Sequence, residues 1–206
     1  MRITSFALSI ALLTTASAFA QEAGEVKLDA PKAKAIGVTE APHKAGVMAE
    51  YAARVFVYLD SGKTTRTTAA GTTETFEFKA GDVRWVPAGA YKDEIVSDQP
   101  VRIVKVEPRR KAPYSQGSTK LDAPITDPAH YKTLFDNEQV RALRITFPPH
   151  SKGEMHEHLL DRAVVDLTRK NGVVVMPPSV RISGYNIHID SNDTDEPQER
   201  IAIELK

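Results

Sequence analysis

The chain has 206 residues, 27 of them basic, 27 acidic and none cysteine. The even charge balance leaves no field to attract nucleic acid or anionic lipid. The lack of cysteine excludes disulfides, thiol chemistry and a lipid-anchored cysteine, so the fold must rest on its core.

In chain order, the first element is MRITSFALSIALLTTASAFA (1–20). One arginine precedes an apolar run too short to cross a bilayer, and Ala18-Phe19-Ala20 fits a small-x-small cleavage site. This pattern predicts a signal peptide cut near Ala20 and a periplasmic or secreted protein. No later stretch is long and apolar enough to predict a membrane span. From residue 21 onward the apolar runs are short. RVFVYL, TETFEF, DVRWV, VRIVKV, VRALRITF and ERIAIEL are rich in β-branched and aromatic residues, and Gly, Pro, Asn or Asp punctuate them. No stretch keeps a 3.6-residue apolar period. The chain is expected to be all-β, a sandwich or barrel.

The sequence also repeats itself. KAIGVTEAPHKAGVMAEY (34–51) aligns without a gap to RALRITFPPHSKGEMHEH (141–158), and seven of eighteen positions are identical. RVFVYL (54–59) answers RAVVDL (162–167), DVR (82–84) answers SVR (179–181), and VRIVKVE (101–107) answers ERIAIEL (199–205). Matching pieces in one order make chance a poor explanation and predict a duplicated unit. The first copy inserts KTTRTTAAGTTETFEFKAG, expected to be a threonine-rich hairpin turning at Gly71. The second has RKNGVVVMPP, expected to turn at Asn171-Gly172. Between the copies, PRRKAPYSQGSTK (108–120) has linker composition.

"GEMHEH" in the second copy stands where the first has "GVMAEY". On a strand, His156 and His158 fall on one face, because side chains alternate with period two. Two imidazoles so placed can converge on one ion, and a histidine from a neighbouring strand completes a facial set suited to Zn, Cu, Fe or Ni. Glu157 points away from that pair. Asp161 is the nearby carboxylate that a bulge could turn inward. Arg162 is either a strand-end surface residue or a partner for an anionic ligand. His43 and His150, each after a proline at matching positions, are expected to shape turns. His130 and Trp85 are expected to be structural.

These motifs resemble the cupin superfamily. Gly153 before His156-Glu157-His158 resembles the first cupin motif. The stretch from Gly184 through His188 to Asn192 resembles the second, and GDVRWVPAG (81–89) is similar to its turn. The resemblance covers nearly all of 27–206 and implies an exported bicupin, with two jelly-roll β-barrels in tandem after the signal peptide. It implies a degenerate cupin half at 21–107, a linker at 108–120, and a cupin half with the metal site at 121–206. The implied ligands are His156, His158 and His188, holding a divalent transition metal (Zn, Fe, Mn, Ni or Cu) with no organic cofactor. Arg162 and Ala163 stand where the family has a ligand glutamate. In the first half Ala49 and Tyr51 replace two histidines, and Lys92 stands at the place of the third. Two functions follow as expectations: a non-enzymatic binder of metal or a small molecule, or a metal-dependent enzyme of dioxygenase or isomerase type. Catalytic residues are not assigned. A homodimer through strand edges is a further expectation.

Overall fold

Alternating, β-branched segments form strands throughout. The computed structural model describes residues 23–109, 119–167, 169–170, 173–174 and 178–206. The expected signal peptide, residues 110–118 of the expected linker and the Asn171-Gly172 turn lie outside the described residues. The first nine strands are β1 (Glu25–Asp29), β2 (Ala33–Glu40), β3 (Ala49–Tyr51), β4 (Arg54–Tyr58), β5 (Gly62–Thr68), β6 (Thr73–Phe78), β7 (Val83–Val86), β8 (Gly89–Ile95) and β9 (Val101–Pro108). A 3-10 turn (Thr119–Leu121) and the one-turn helix α1 (Ala123–Thr126) follow. Then come β10 (Tyr131–Asp136), β11 (Val140–Phe147), β12 (Ser151–Lys152), β13 (His156–His158), β14 (Arg162–Asp166), β15 (Arg169–Lys170), β16 (Val173–Val174), β17 (Val180–Ser183), β18 (Asn186–His188), β19 (Ser191–Asn192) and β20 (Gln198–Leu205).

Two five-stranded antiparallel sheets carry the fold, in the orders β1-β2-β9-β4-β7 and β10-β11-β20-β14-β17. Their strand orders correspond position by position. Each first pair even has its register shift at the same place, between Val26 and Leu28 and between Thr133 and Phe135. Val101 lies opposite Glu40 and Gln198 opposite Phe147. VRIVKVE therefore corresponds to QERIAIE, one residue earlier than the sequence alignment with ERIAIEL had it. That correction makes Glu204 the counterpart of Glu107.

Period-two alternation sends the two faces of each large sheet into different cores. Val55, Val57, Val104 and Val106 of the first sheet join Ala163, Val165, Ile201 and Ile203 of the second in one cluster, with Trp85 packed against it. The large sheets thus lie back to back. Phe56, Tyr58 and Ile103 face a second cluster with Phe78, Tyr91 and Ile95. This cluster lies under a four-stranded sheet, β3-β8-β5-β6. The β5–β6 hairpin is the expected one: it turns at Gly71, where φ is 82°, and Thr65 pairs with Thr75. On the far side of the second large sheet, Tyr131, Leu143, Ile145, Phe147 and Val164 form a third cluster. The remaining strands form two-stranded pairs, β12-β19, β13-β18 and β15-β16. The expectation of closed barrels needs correcting. Among the described residues each region is a set of separate hydrogen-bonded sheets that no ladder closes into a barrel.

Candidate metal centre

The site grows from the register of two short strands. β13 and β18 pair antiparallel, which sets His156 opposite His188 and His158 opposite Asn186. His156 and His158 point the same way because they are two residues apart. His188 joins them from across the ladder. Their nearest ligand nitrogens all lie within 4.8 Å of one another. The ring centroid of His156 stands 4.9 Å from that of His158 and 4.6 Å from that of His188. His156 and His158 are 0% and 1% exposed, which polar rings tolerate only when their nitrogens have work. Yet Nε2 of His156 and Nε2 of His188 are buried and make no hydrogen bond.

The outer nitrogens are engaged. His156 Nδ1 bonds the Glu154 carbonyl at 2.9 Å, and His158 Nδ1 meets Glu204 Oε1 at 3.4 Å. Both partners can only accept, so each Nδ1 carries the proton and each Nε2 presents a lone pair to the centre. A carbonyl or carboxylate behind an imidazole is the usual way to orient a metal ligand. Burial lowers the pKa of His158, against the pull of Glu204, and burial likewise lowers His188. Both effects favour the neutral rings that metal binding requires. Burial would push the Glu204 carboxyl up. Hydrogen bonds from His158 and Arg141 outweigh it and hold Glu204 below its usual range. Arg141 bonds Glu204 at 2.5 Å and grips Asp122 with both terminal nitrogens.

Two groups border the histidines on the same inner face. Asp190, two residues beyond His188, has an oxygen 3.7 Å from His188 Nε2 and accepts a hydrogen bond from Tyr131. Arg162 is 4% exposed and donates to the Gly184 carbonyl at 2.8 Å and to Asn186 Oδ1 at 2.9 Å. It is therefore an interior residue, not a strand-end surface one. Asp161 does not reach the centre. It pairs with Lys32 of the first region.

At the corresponding place in the first region the strand pairing corrects one expected position. Ala49 and Tyr51 occupy the places of His156 and His158. The residue opposite Ala49 is Tyr91, so Tyr91 and not Lys92 stands at the third position. Lys92 lies one residue farther, on the other face. Tyr91 Oη is buried without a hydrogen bond, and burial pushes its pKa up to about 12. The other histidines are not in the cluster. His43 and His150 both have φ 54° and bond Asp98 and Asp195. His130 bonds Asp127 at 2.8 Å and stacks on Phe147. Asn192 anchors the loop after β11 through the carbonyls of Phe147, Pro148 and Glu196.

No protein-family model and no curated protein matches the sequence. The structure, in contrast, resembles a Cupin 2 conserved barrel domain protein from Leptotrichia buccalis, with a TM-score of 0.51 at 13% identity over 89% of this chain and 88% of that one. The fold is that of the cupin superfamily. It is also similar to a variant oxalate decarboxylase of Bacillus subtilis, with a TM-score of 0.53 at 13% identity, covering 93% of this chain and 76% of that chain. Sequence reasoning missed four neighbours of the three histidines. Asn186 and Asp190 share the period-two face of His188 and were readable from that spacing. Glu204 was hidden by the one-residue misalignment. Tyr131 carried no local signal.

Proposed function

We propose that this protein is an exported cupin that binds one divalent transition metal ion on His156, His158 and His188. In this reading two jelly-roll units arose by duplication, and the first, with Ala49, Tyr51 and Tyr91, is a metal-free scaffold. The observation that carries it is the convergence of three imidazoles whose buried inner nitrogens at His156 and His188 find no protein partner. Three neutral nitrogens suit Zn, Cu, Fe and Ni, and the reading extends to Mn. A metal so held keeps open positions for a small molecule and supplies Lewis acidity to it. His156 and His158 supply preset lone pairs, Glu204 and the Glu154 carbonyl orient them, and the packed third cluster excludes water from one side. The leader-like residues 1–20 support export.

A second reading, turnover of a small molecule, is favoured by the Tyr131–Asp190 pair beside His188. There a carboxylate and a hydroxyl face the same space as the imidazoles. Elemental analysis of the untagged, periplasmically expressed protein tests the metal claim. About one metal per chain is expected, lost in His156→Ala and retained in His43→Ala. Far less than one Zn, Fe, Mn, Ni or Cu per chain overturns it.

A further inference from the structure

His188 differs from its two companions in what stands behind it. Its Nδ1 lies 2.8 Å from Asn186 Nδ2, and Asn186 Oδ1 lies 2.9 Å from Arg162 Nη2. An arginine can only donate. The oxygen of Asn186 must therefore face Arg162, and turning the amide over would set two donors against each other at that distance. With the oxygen fixed, the Asn186 amide N–H points at His188 Nδ1, which must accept. A neutral His188 then carries its proton on Nε2, toward the centre of the cluster. His156 and His158 carry theirs on Nδ1, away from it.

We propose that Arg162 and Asn186 together hold His188 in the tautomer that opposes metal coordination through Nε2. Arg162 and Asn186 are positioning residues: neither touches the centre, and both act through the His188 ring. Arg162 is well placed for this. Its guanidinium is buried and forms no ion pair among the described residues, so its hydrogen bonds to Gly184 and Asn186 are what anchor it. His156 and His158 form a standing two-nitrogen site. His188 completes it when the Asn186 amide turns and the ring proton moves to Nδ1, and that rearrangement weakens the binding. The consequence for affinity rests on the metal reading above, but the tautomer itself does not.

The test uses the full-length protein, first without metal. Long-range 1H–15N spectra of the histidine rings, at about pH 8 where free imidazole is neutral, should show His188 protonated at Nε2 and the other two at Nδ1. In Asn186→Asp the carboxylate accepts from both neighbours, so the His188 proton should move to Nδ1. Zinc affinity should then rise by about tenfold to a hundredfold, the usual scale for a group that orients a ligand. Arg162→Gln, whose side chain can accept, frees the amide to turn and should shift affinity the same way. Protonation of wild-type His188 at Nδ1 overturns the proposal, as does a wild-type protein that binds zinc with an affinity unchanged in both variants. If the tautomers follow this pattern and no variant binds zinc, the assignment of Arg162 and Asn186 stands and the metal reading falls.

Discussion

At φ 54° a residue with a Cβ sits in the left-handed region, which costs about 1–2 kcal/mol for most side chains. His43 and His150 both do so at matching turns. Histidine is one of the types that visits this region more readily, and each ring gains an aspartate partner in Asp98 or Asp195. The two turns share this geometry. His150→Ala is expected to lower stability by about 1 kcal/mol. His150→Asn, which tolerates the conformation, should cost less. Urea unfolding midpoints of the two variants check the difference, and metal content should be unchanged in both. At the corresponding place in the first region no imidazole is present. Ala49 offers no side-chain donor, the Tyr51 and Tyr91 rings stand 4.8 Å apart, and Arg54 stacks over the Tyr51 ring at 4.8 Å.

The strand that presents His156 and His158 is only three residues long, so its position is set by what precedes it. Gly153 leaves room for Asp127: a Cβ there would lie 2.3 Å from Asp127 Oδ2 and 3.2 Å from the Phe147 ring. Asp127 is 3% exposed, accepts from the Glu154 amide and bonds His130. The contact therefore cannot be relieved by swinging the carboxylate into solvent. Gly153→Ala should destabilise the protein by about 1–3 kcal/mol, as overpacking does. It should also displace β13 enough to reduce metal content while His150→Asn leaves it intact. Thermal unfolding and elemental analysis of the two variants make the comparison. The glycine was visible in the sequence as part of the repeated frame. Its reason was not, because Asp127 and Phe147 come from other segments.

Across the whole molecule, the back-to-back large sheets share one core that neither could bury alone. Ile203 from the second sheet packs in the same cluster as Val55, Val57 and Val104 from the first. Ile203→Ala should cost about 2–5 kcal/mol. The single tryptophan, Trp85, packs against that cluster from the first sheet and reports on it. Its fluorescence should move to a lower denaturant midpoint in the Ile203→Ala protein, together with the far-ultraviolet signal. An unmoved Trp85 transition would show two independent cores.

Alternation, punctuation and the internal repeat made the β class, most of the strand positions, the hairpin at Gly71 and the pair His156 and His158 readable, since each depends on neighbours in sequence. Long-range pairing decided the rest. The ladder between β13 and β18 set His188 across from His156, and the ladders of β20 with β11 and β14 placed Glu204 beside His158. Asp161, just before β14, and Arg162, its first residue, met two different neighbours. One side chain turned out to Lys32 and the other in to Asn186. Local sequence fixes which residues share a face, but only the packed sheets determine what that face looks at.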